Sequence, residues 1–234
     1  MTIAVMQPYF MPYVGYFQMI KAVDKFVFYD DVNYIKQGWI NRNKILVNNN
    51  EFLFTVPLQK ASPFVFIKDT EINDKMYENW KVKFSLTILQ SYKKAPYFPE
   101  INDLVKNIVE TECNTISQLA IKSVIEISKY LDLKAKFFVA SERYDNKELE
   151  RKERLMNICK KEKANHYINA IGGQELYSKA DFMKEKIQLD FIKSKPIEYK
   201  QFNNEFVPWL SIIDVLMFNS VEDINEMLNQ YELV

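Results

Sequence analysis

The chain has 234 residues, 48% of them hydrophobic and 26% charged, a balance that excludes whole-chain disorder and fibrous architectures. Lys and Arg total 31, Asp and Glu also total 31, and the formal net charge is +0, so the broad basic field that draws in nucleic acid or an anionic membrane is absent. Two cysteines, Cys113 and Cys159, and one histidine, His166, are too few for a Cys-rich or His-rich metal centre and fit a reducing, cytoplasmic setting.

The opening residues lack the basic segment and long apolar stretch of a signal peptide, and no apolar run reaches the ~18 residues of a membrane span. A soluble protein is expected. Residues 3–6 are an apolar run ending at Gln7-Pro8, where proline removes a ladder donor, and read as a buried strand. From Gly15 on, Tyr16, Met19, Ile20 and Val23 recur at helical spacing, and residues 26–29 form a second apolar strand. Strand, Pro/Gly loop, helix and strand within about thirty residues make a βαβ unit, hence a parallel sheet covered on both faces.

Asn48, Asn49 and Asn50 separate residues 44–47 from 52–56 and predict a hairpin, because asparagine tolerates positive φ. A further strand is expected over 64–68. Residues 76–131 read as helices, one of them opened by a Thr115/Gln118 capping box. Strand returns at 137–140, a charged helix follows over 147–161, strands at 167–170 and 189–192, then helices at 210–218 and 221–228. The fold class is α/β: a Rossmann-like parallel, partly mixed sheet with flanking helices and a helical insertion. Residues 1–75 supply the βαβ-type unit and hairpin, 76–135 a helical subdomain and 136–234 the rest of the sheet, within one structural domain.

Ligands of such sheets sit at the carboxyl ends of the strands, here residues 7–16 and 30–42. In the first stretch Pro8 and Pro12 stiffen a loop on which Gln7, Tyr9, Tyr13 and Tyr16 offer amide and phenol groups beside flat apolar faces. That surface suits a base or sugar ring, and the helix start behind it favours phosphate. In the second, Asp30, Asp31, Lys36, Trp39, Asn41, Arg42 and Asn43 crowd one loop. Its carboxylates suit a general base toward a substrate ammonium or a Mg²⁺ ligand, and Arg42 suits phosphate. Gly15, Gly38, Gly172 and Gly173, the chain's four glycines, lie just after predicted strands, where backbone approaches a ligand or simply turns.

His166 is a reserve general base. The cysteines lie in helical stretches away from these loops and are not read as nucleophiles. Glu148 with Lys152 and Glu150 with Arg154 fall at i,i+4, which reads as a solvated helix face without chemistry. Residues 206–216 read as core, with Ser211 and Asp214 as polar exceptions.

Tyr13-Val-Gly-Tyr16 occupies the position of the HxGH element of adenylyl-transferring nucleotidyltransferases, which the strand-loop-helix resembles. Tyrosine brings no cation to a transferred phosphate, and this argues against adenylyl transfer by that route. Over nearly the whole chain the sequence resembles the WbqC-like family, through residues 6–17, residues 28–43 and the late Leu210-Ser-Ile-Ile-Asp214. Gln7, Tyr9, Gly15, Tyr16, Asp30, Asp31, Lys36, Trp39, Asn41, Arg42 and Asn43 match its most characteristic stretches, and Gly172, Gly173 and Tyr177 its later glycine segment.

The resemblance implies a bacterial enzyme from surface-polysaccharide (O-antigen) gene clusters, acting on a nucleotide-linked amino sugar by acyl or aminoacyl transfer to the sugar amine. Asp30, Asp31, Lys36 and His166 are then the catalytic candidates. Gln7, Tyr9, Tyr13, Gly15, Tyr16, Trp39, Asn41, Arg42, Asn43, Gly172, Gly173 and Tyr177 are the substrate-binding ones. No dedicated metal site is expected, and the cofactor is left open apart from Mg²⁺. The partner is a small nucleotide sugar, with no nucleic acid and no transmembrane segment, and self-association is left open. Two other readings stand beside this one: an ATP- and Mg²⁺-dependent nucleotidyltransferase-like enzyme, and a non-catalytic nucleotide-sugar-binding partner protein.

Overall fold

The computed structural model describes residues 1–202 and 205–234. Strand β1 (Thr2–Met6) runs through the Pro8/Pro12 loop into helix α1 (Val14–Lys21) and strand β2 (Lys25–Phe28), which pairs parallel to β1 from Ile3 opposite Lys25 to Met6 opposite Phe28. The hairpin β3 (Arg42–Val47) and β4 (Asn50–Thr55) stands apart as a two-stranded sheet. Its turn holds Asn48 and Asn49 at φ 49° and 65°, the paired positive values that match the twist of a tight hairpin. Three helices follow, α2 (Asp74–Tyr92), α3 (Phe98–Val109) and α4 (Ile116–Tyr130), the last opened by the expected capping box of Thr115 and Gln118.

The chain then returns to the sheet with β5 (Lys136–Val139), a single turn α5 (Ala140–Arg143), α6 (Arg151–Lys161), β6 (His166–Ala170), α7 (Lys179–Lys184) and β7 (Gln188–Ser194). Helices α8 (Ile212–Phe218) and α9 (Val221–Met227) lead to a last strand, β8 (Tyr231–Leu233). The six-stranded order is β5-β2-β1-β6-β7-β8, all parallel except β8. This is the expected α/β class with a mixed edge.

Alternation along the strands divides the core in two, as a period of two requires. Ala4, Phe26, Phe28, Ile168 and Ile192 join one apolar cluster that continues through α1 and into α2, α3 and α4. Ile3, Val5, Val27, Tyr167, Leu189 and Phe191 join a second under α6 and α7. Near-continuous apolar strands follow from a sheet covered on both faces.

Two local expectations need correction, and one strand went unread. Residues 64–68 form no strand: Ile67–Asp69 is a 3₁₀ turn, and the segment joins the 30–34 loop through one isolated bridge, Asn33 with Phe66, and the backbone bonds Tyr34 N–H to the Val65 carbonyl, Ile67 N–H to the Val32 carbonyl and Lys68 N–H to the Asp30 carbonyl, while Phe64 stands 89% exposed. The charged helix begins at Arg151, with Glu150 as its N-cap residue, so Glu150 and Arg154 do not form the expected rung. Strand β8 carries too short a pattern to be read in advance.

Glycine freedom is not where turns need it. No glycine has positive φ, whereas Asp132, Lys163 and Lys186 do, at 55°, 57° and 60°. Each stands one residue beyond the C-cap of α4, α6 or α7, the position glycine usually fills.

Candidate functional site

From β1 the chain steps through α1 to β2 on one side, while β6 joins β1 on the other. The crevice outside the carboxyl ends of β1 and β6 is therefore the switch point at which doubly wound sheets hold ligands. Four adjoining cavities open there. One of 360 Å³ lies over the switch point between Gln7, Tyr29, Asn169, Gly172, Gly173, Tyr177 and Arg151. One of 260 Å³ is lined by Gly15, Tyr16, Ala170 and Ser194. One of 410 Å³ is enclosed by Met6, Tyr9, Pro12, Tyr13, Trp39, Asn43 and Trp209. The largest, 590 Å³, lies between Tyr13, Trp209 and the segment after β7, including Lys195, Glu198, Glu205 and Phe206. Tyr13 and Trp209 border three of them, and Met6 and Tyr9 link the third to the first.

Of the Asp30–Asn43 cluster, most members hold the fold. Asp30 is buried and accepts the Ser141 backbone N–H at 2.9 Å and its hydroxyl at 2.7 Å. Burial raises its carboxyl above 3.8, against those two bonds, with the Asp31 charge adding to the rise. Asp31, 1% exposed, lies 2.7 Å from Arg154 Nη2. That contact is an ion pair, and among the described residues neither carboxylate oxygen has a directed hydrogen-bond donor. The Arg154 guanidinium also sits 4.7 Å from the Tyr29 ring. Arg154, read from sequence as part of a solvated face, is thus a buried counter-charge. Its partner lies 123 positions away, beyond the reach of any helical spacing argument.

Arg42 donates to the Gly38 carbonyl at 2.9 Å and to the Gln37 carbonyl, and stacks 5.7 Å over Trp39. It closes its own loop. Asn41 accepts from the Tyr34 hydroxyl and donates to the Val56 carbonyl, both at 2.8 Å. Asn43 donates to the Met11 carbonyl at 2.8 Å. Lys36 is exposed on the loop. Among the described residues no group of three or more His, Cys, Asp or Glu side chains is arranged to hold a metal ion. Asp30 and Asp31 face Ser141 and Arg154 instead.

Tyr16 is buried and donates its hydroxyl to the Gln7 carbonyl at 2.8 Å. Tyr9 and Tyr13 have no hydroxyl partner among the described residues, and burial pushes the Tyr9 phenol up to about 12, with Tyr13 nearby adding to the rise. Both remain protonated donors at neutral pH. Gly15 lies against Tyr13, since an added Cβ would meet its Cε2 at 2.4 Å. Gly173 is packed on the Asn169 amide, whereas a Cβ at Gly172 would meet nothing within 4 Å. Gly38 sits in the loop that Arg42 closes.

His166 opens β6, at the amino edge of the sheet, with Nε2 2.9 Å from Asp190 Oδ2. Five residues of strand, roughly 13–16 Å, separate that edge from the cleft. The structure therefore brings together Gln7, Tyr9, Tyr13, Gly15, Tyr16, Trp39, Asn43, Gly172, Gly173 and Tyr177, and leaves His166 and Lys36 outside.

Four residues with cleft-facing chemistry were missed from sequence. Arg151 has no ion-pair partner among the described residues; burial raises the Tyr29 and Tyr177 phenols, and its charge draws both back down. Glu198 and Glu205 line the largest cavity, also without an ion pair among the described residues. Trp209, 68% exposed, has φ 59°, a left-handed backbone that costs a bulky residue about 1–2 kcal/mol. Only its density of aromatic neighbours, with Phe206 and Pro208 beside it, signalled this in the sequence.

Beyond this segment, Asp214 is fully buried and accepts the Tyr199 hydroxyl at 2.6 Å, Gln201 Nε2 at 2.7 Å and the Tyr92 hydroxyl at 2.7 Å. Ser211 donates to the Met11 carbonyl at 2.7 Å. Both polar exceptions of the core fix the segment that carries Trp209.

No helix among the described residues is long and apolar enough to cross a membrane. No solved structure matches the chain. A protein of Mycobacterium tuberculosis, the uncharacterized protein Rv1507c, is 29% identical over 221 residues, which cover 93% of each chain. The model of the WbqC-like protein family matches residues 7–226, a span that takes in the cleft walls from Gln7 onward, and to that family the chain belongs.

Proposed function

We propose that the protein is an enzyme of bacterial surface-polysaccharide assembly that binds a nucleotide-linked amino sugar in this cleft and acylates or aminoacylates the sugar amine. The observation that carries the binding half is the continuous, aromatic-walled cleft outside the carboxyl ends of β1, β6 and β7. The acyl-transfer half is supported by the family resemblance. In the reaction the ammonium loses a proton, its nitrogen bonds to the acyl carbon, and the donor's leaving group departs with a proton. With Asp30 and Asp31 turned to Ser141 and Arg154, the base at the amine is Glu198 or Glu205, the carboxylates that line the cleft.

The test is a thermal-shift screen against nucleotide-linked amino sugars, followed by an acyl-transfer assay on any ligand found. A ligand at about 100 times its Kd adds ~2.7 kcal/mol, roughly 5–10 °C at this chain length. Absence of a shift with every nucleotide sugar would count against the binding half. One observation favours a second reading, a non-catalytic binding partner: the most conspicuous charged groups, Asp30, Asp31 and Arg42, are all engaged within the fold. Under it, Glu198→Gln and Glu205→Gln leave cellular function intact while ligand binding persists.

A further inference from the structure

The geometry points to the 410 Å³ cavity as a stacking site for one planar nucleobase, with Trp209 as the platform and Trp39 as the opposing wall. This rests on the preceding reading that the ligand is nucleotide-linked, and assigns the part of the ligand this cavity takes.

Two tryptophans as exposed as Trp209 (68%) and Trp39 (43%) border the same cavity, together with Tyr9 and Tyr13. Large exposed rings converging on a concavity mark a surface that a ligand covers. The Trp209 ring lies 6.2 Å from that of Tyr13, and its backbone is strained where a relaxed conformation was open to an exposed residue. The flanking chain imposes that conformation. Val207 donates to the Gln201 side chain at 2.7 Å, and the Ser211 backbone donates to the Lys44 carbonyl at 2.8 Å. The indole is thereby held at the junction of three cavities.

The chemistry of the walls selects among occupants. A cationic guest suits an aromatic cage, but the Arg42 guanidinium already lies 5.7 Å over Trp39, so a second cation is repelled there and a phosphate-bearing guest is favoured. A sugar needs a hydrogen bond for each of several hydroxyls. Here Asn43 is already bonded to the Met11 carbonyl and Lys44 N–H, which leaves the Tyr9 and Tyr13 phenols. A flat ring with one polar edge fits two indoles and two phenol donors. From it, Tyr9 and Met6 lead into the 360 Å³ cavity where Arg151 stands without an ion pair among the described residues.

Intrinsic fluorescence tests this directly, because the chain has three tryptophans and the third, Trp80, is stacked on Tyr77 and Phe84 away from the cleft. The intact protein is titrated with UMP, dTMP, GMP and AMP, with ribose 5-phosphate as the baseless control and tetramethylammonium as the cation control. The expected result is saturable quenching by at least one nucleotide and binding of ribose 5-phosphate weaker by about tenfold or more. Trp209→Gly, which relieves the left-handed backbone, should lose about tenfold or more in affinity with its thermal midpoint nearly unchanged. Trp209→Phe should retain most of the affinity, and Trp80→Phe should not alter it.

Equal binding of ribose 5-phosphate, preference for tetramethylammonium, or undiminished nucleotide affinity in Trp209→Gly would each overturn the assignment, as would failure of every nucleotide to bind. The two readings fail separately. Nucleotide stacking without acyl transfer retains the base site and removes the enzymatic reading. Acyl transfer with a KM unaffected by Trp209→Gly does the reverse.

Discussion

Replacing Arg154 by methionine keeps most of the apolar stem and removes the guanidinium, with its charge and its hydrogen bonds to Asn146 Oδ1 and the Asp31 carbonyl. Arg154 is 7% exposed, with its Nη2 2.7 Å from the buried Asp31 carboxylate and its guanidinium 4.7 Å from the Tyr29 ring. Without it the carboxylate stays buried, beside the Asp30 carboxylate and with no ion-pair partner among the described residues. Breaking such a pair from one side costs about 3–5 kcal/mol, and at roughly 2–4 °C per kcal/mol for a chain of this size the thermal midpoint should fall by about 6–20 °C. Adding Asp31→Asn to Arg154→Met should recover much of that loss, since the uncompensated charge is its source. Urea unfolding of the four proteins of this cycle, followed by circular dichroism, measures the coupling. A loss below about 1 kcal/mol for Arg154→Met, the scale of an exposed pair, would refute the reasoning and restore the solvated helix face.

Further outcomes follow from the same geometry. Glu162 is buried, which alone would raise its carboxyl, but bonds from Arg143, Lys25 and Tyr144 outweigh that and hold it down to about 2 against an ordinary 4.5. Its contribution is complete above pH 4.5 and lost as pH falls toward 2, so the stability gap between wild type and Glu162→Gln should close across that window in denaturant titrations. Asp214 has the opposite sign: burial raises it above 3.8 against its three donors, its contribution is full below 3.8, and the stability of wild type relative to Asp214→Asn should decline as pH rises above that value. Gly15→Ala should push the Tyr13 ring out of place, costing about 1–3 kcal/mol and impairing ligand binding, while Gly172→Ala should leave stability unchanged and His166→Gln should leave binding unchanged. Glycine at Asp132, Lys163 or Lys186 should each raise stability by about 0.5–1 kcal/mol in chemical denaturation, the relief of a left-handed C-terminal residue less the flexibility added to the unfolded chain.

The parts of the fold visible in the sequence are those governed by local physics. An apolar run stopped by Gln7-Pro8, the helical spacing of Tyr16, Met19 and Ile20, the paired asparagines of the hairpin and the Thr115/Gln118 box each depend on neighbours within a few positions. The strand-end position of the cleft was legible too, because Gln7, Tyr9, Tyr13 and Gly172 follow predicted strands and line it, although the switch point between β1 and β6 emerges only from the strand order. What could not be read depends on distant partners. Asp30 and Asp31 looked free because Ser141 and Arg154 lie 111 and 123 positions away, and Arg42 looked free because the loop it closes had no predicted shape. Trp209 was absorbed into a core segment because aromatic density marks core and binding cleft alike. Its positive φ and exposure, which separate the two, exist only in three dimensions.

The central claim, that the cleft outside β1, β6 and β7 receives a nucleotide-linked ligand, is tested most directly by photolabelling. A nucleotide diphosphate sugar with a photoreactive azido group on its base would be irradiated with the full-length protein and the labelled peptides sequenced by mass spectrometry. The account predicts label, competed away by unmodified nucleotide sugar, on Tyr9, Tyr13, Trp39 or Trp209. Competed label confined to another surface, such as the shallow groove between α2 and α3 lined by Leu86, Leu89 and Lys106, would contradict it.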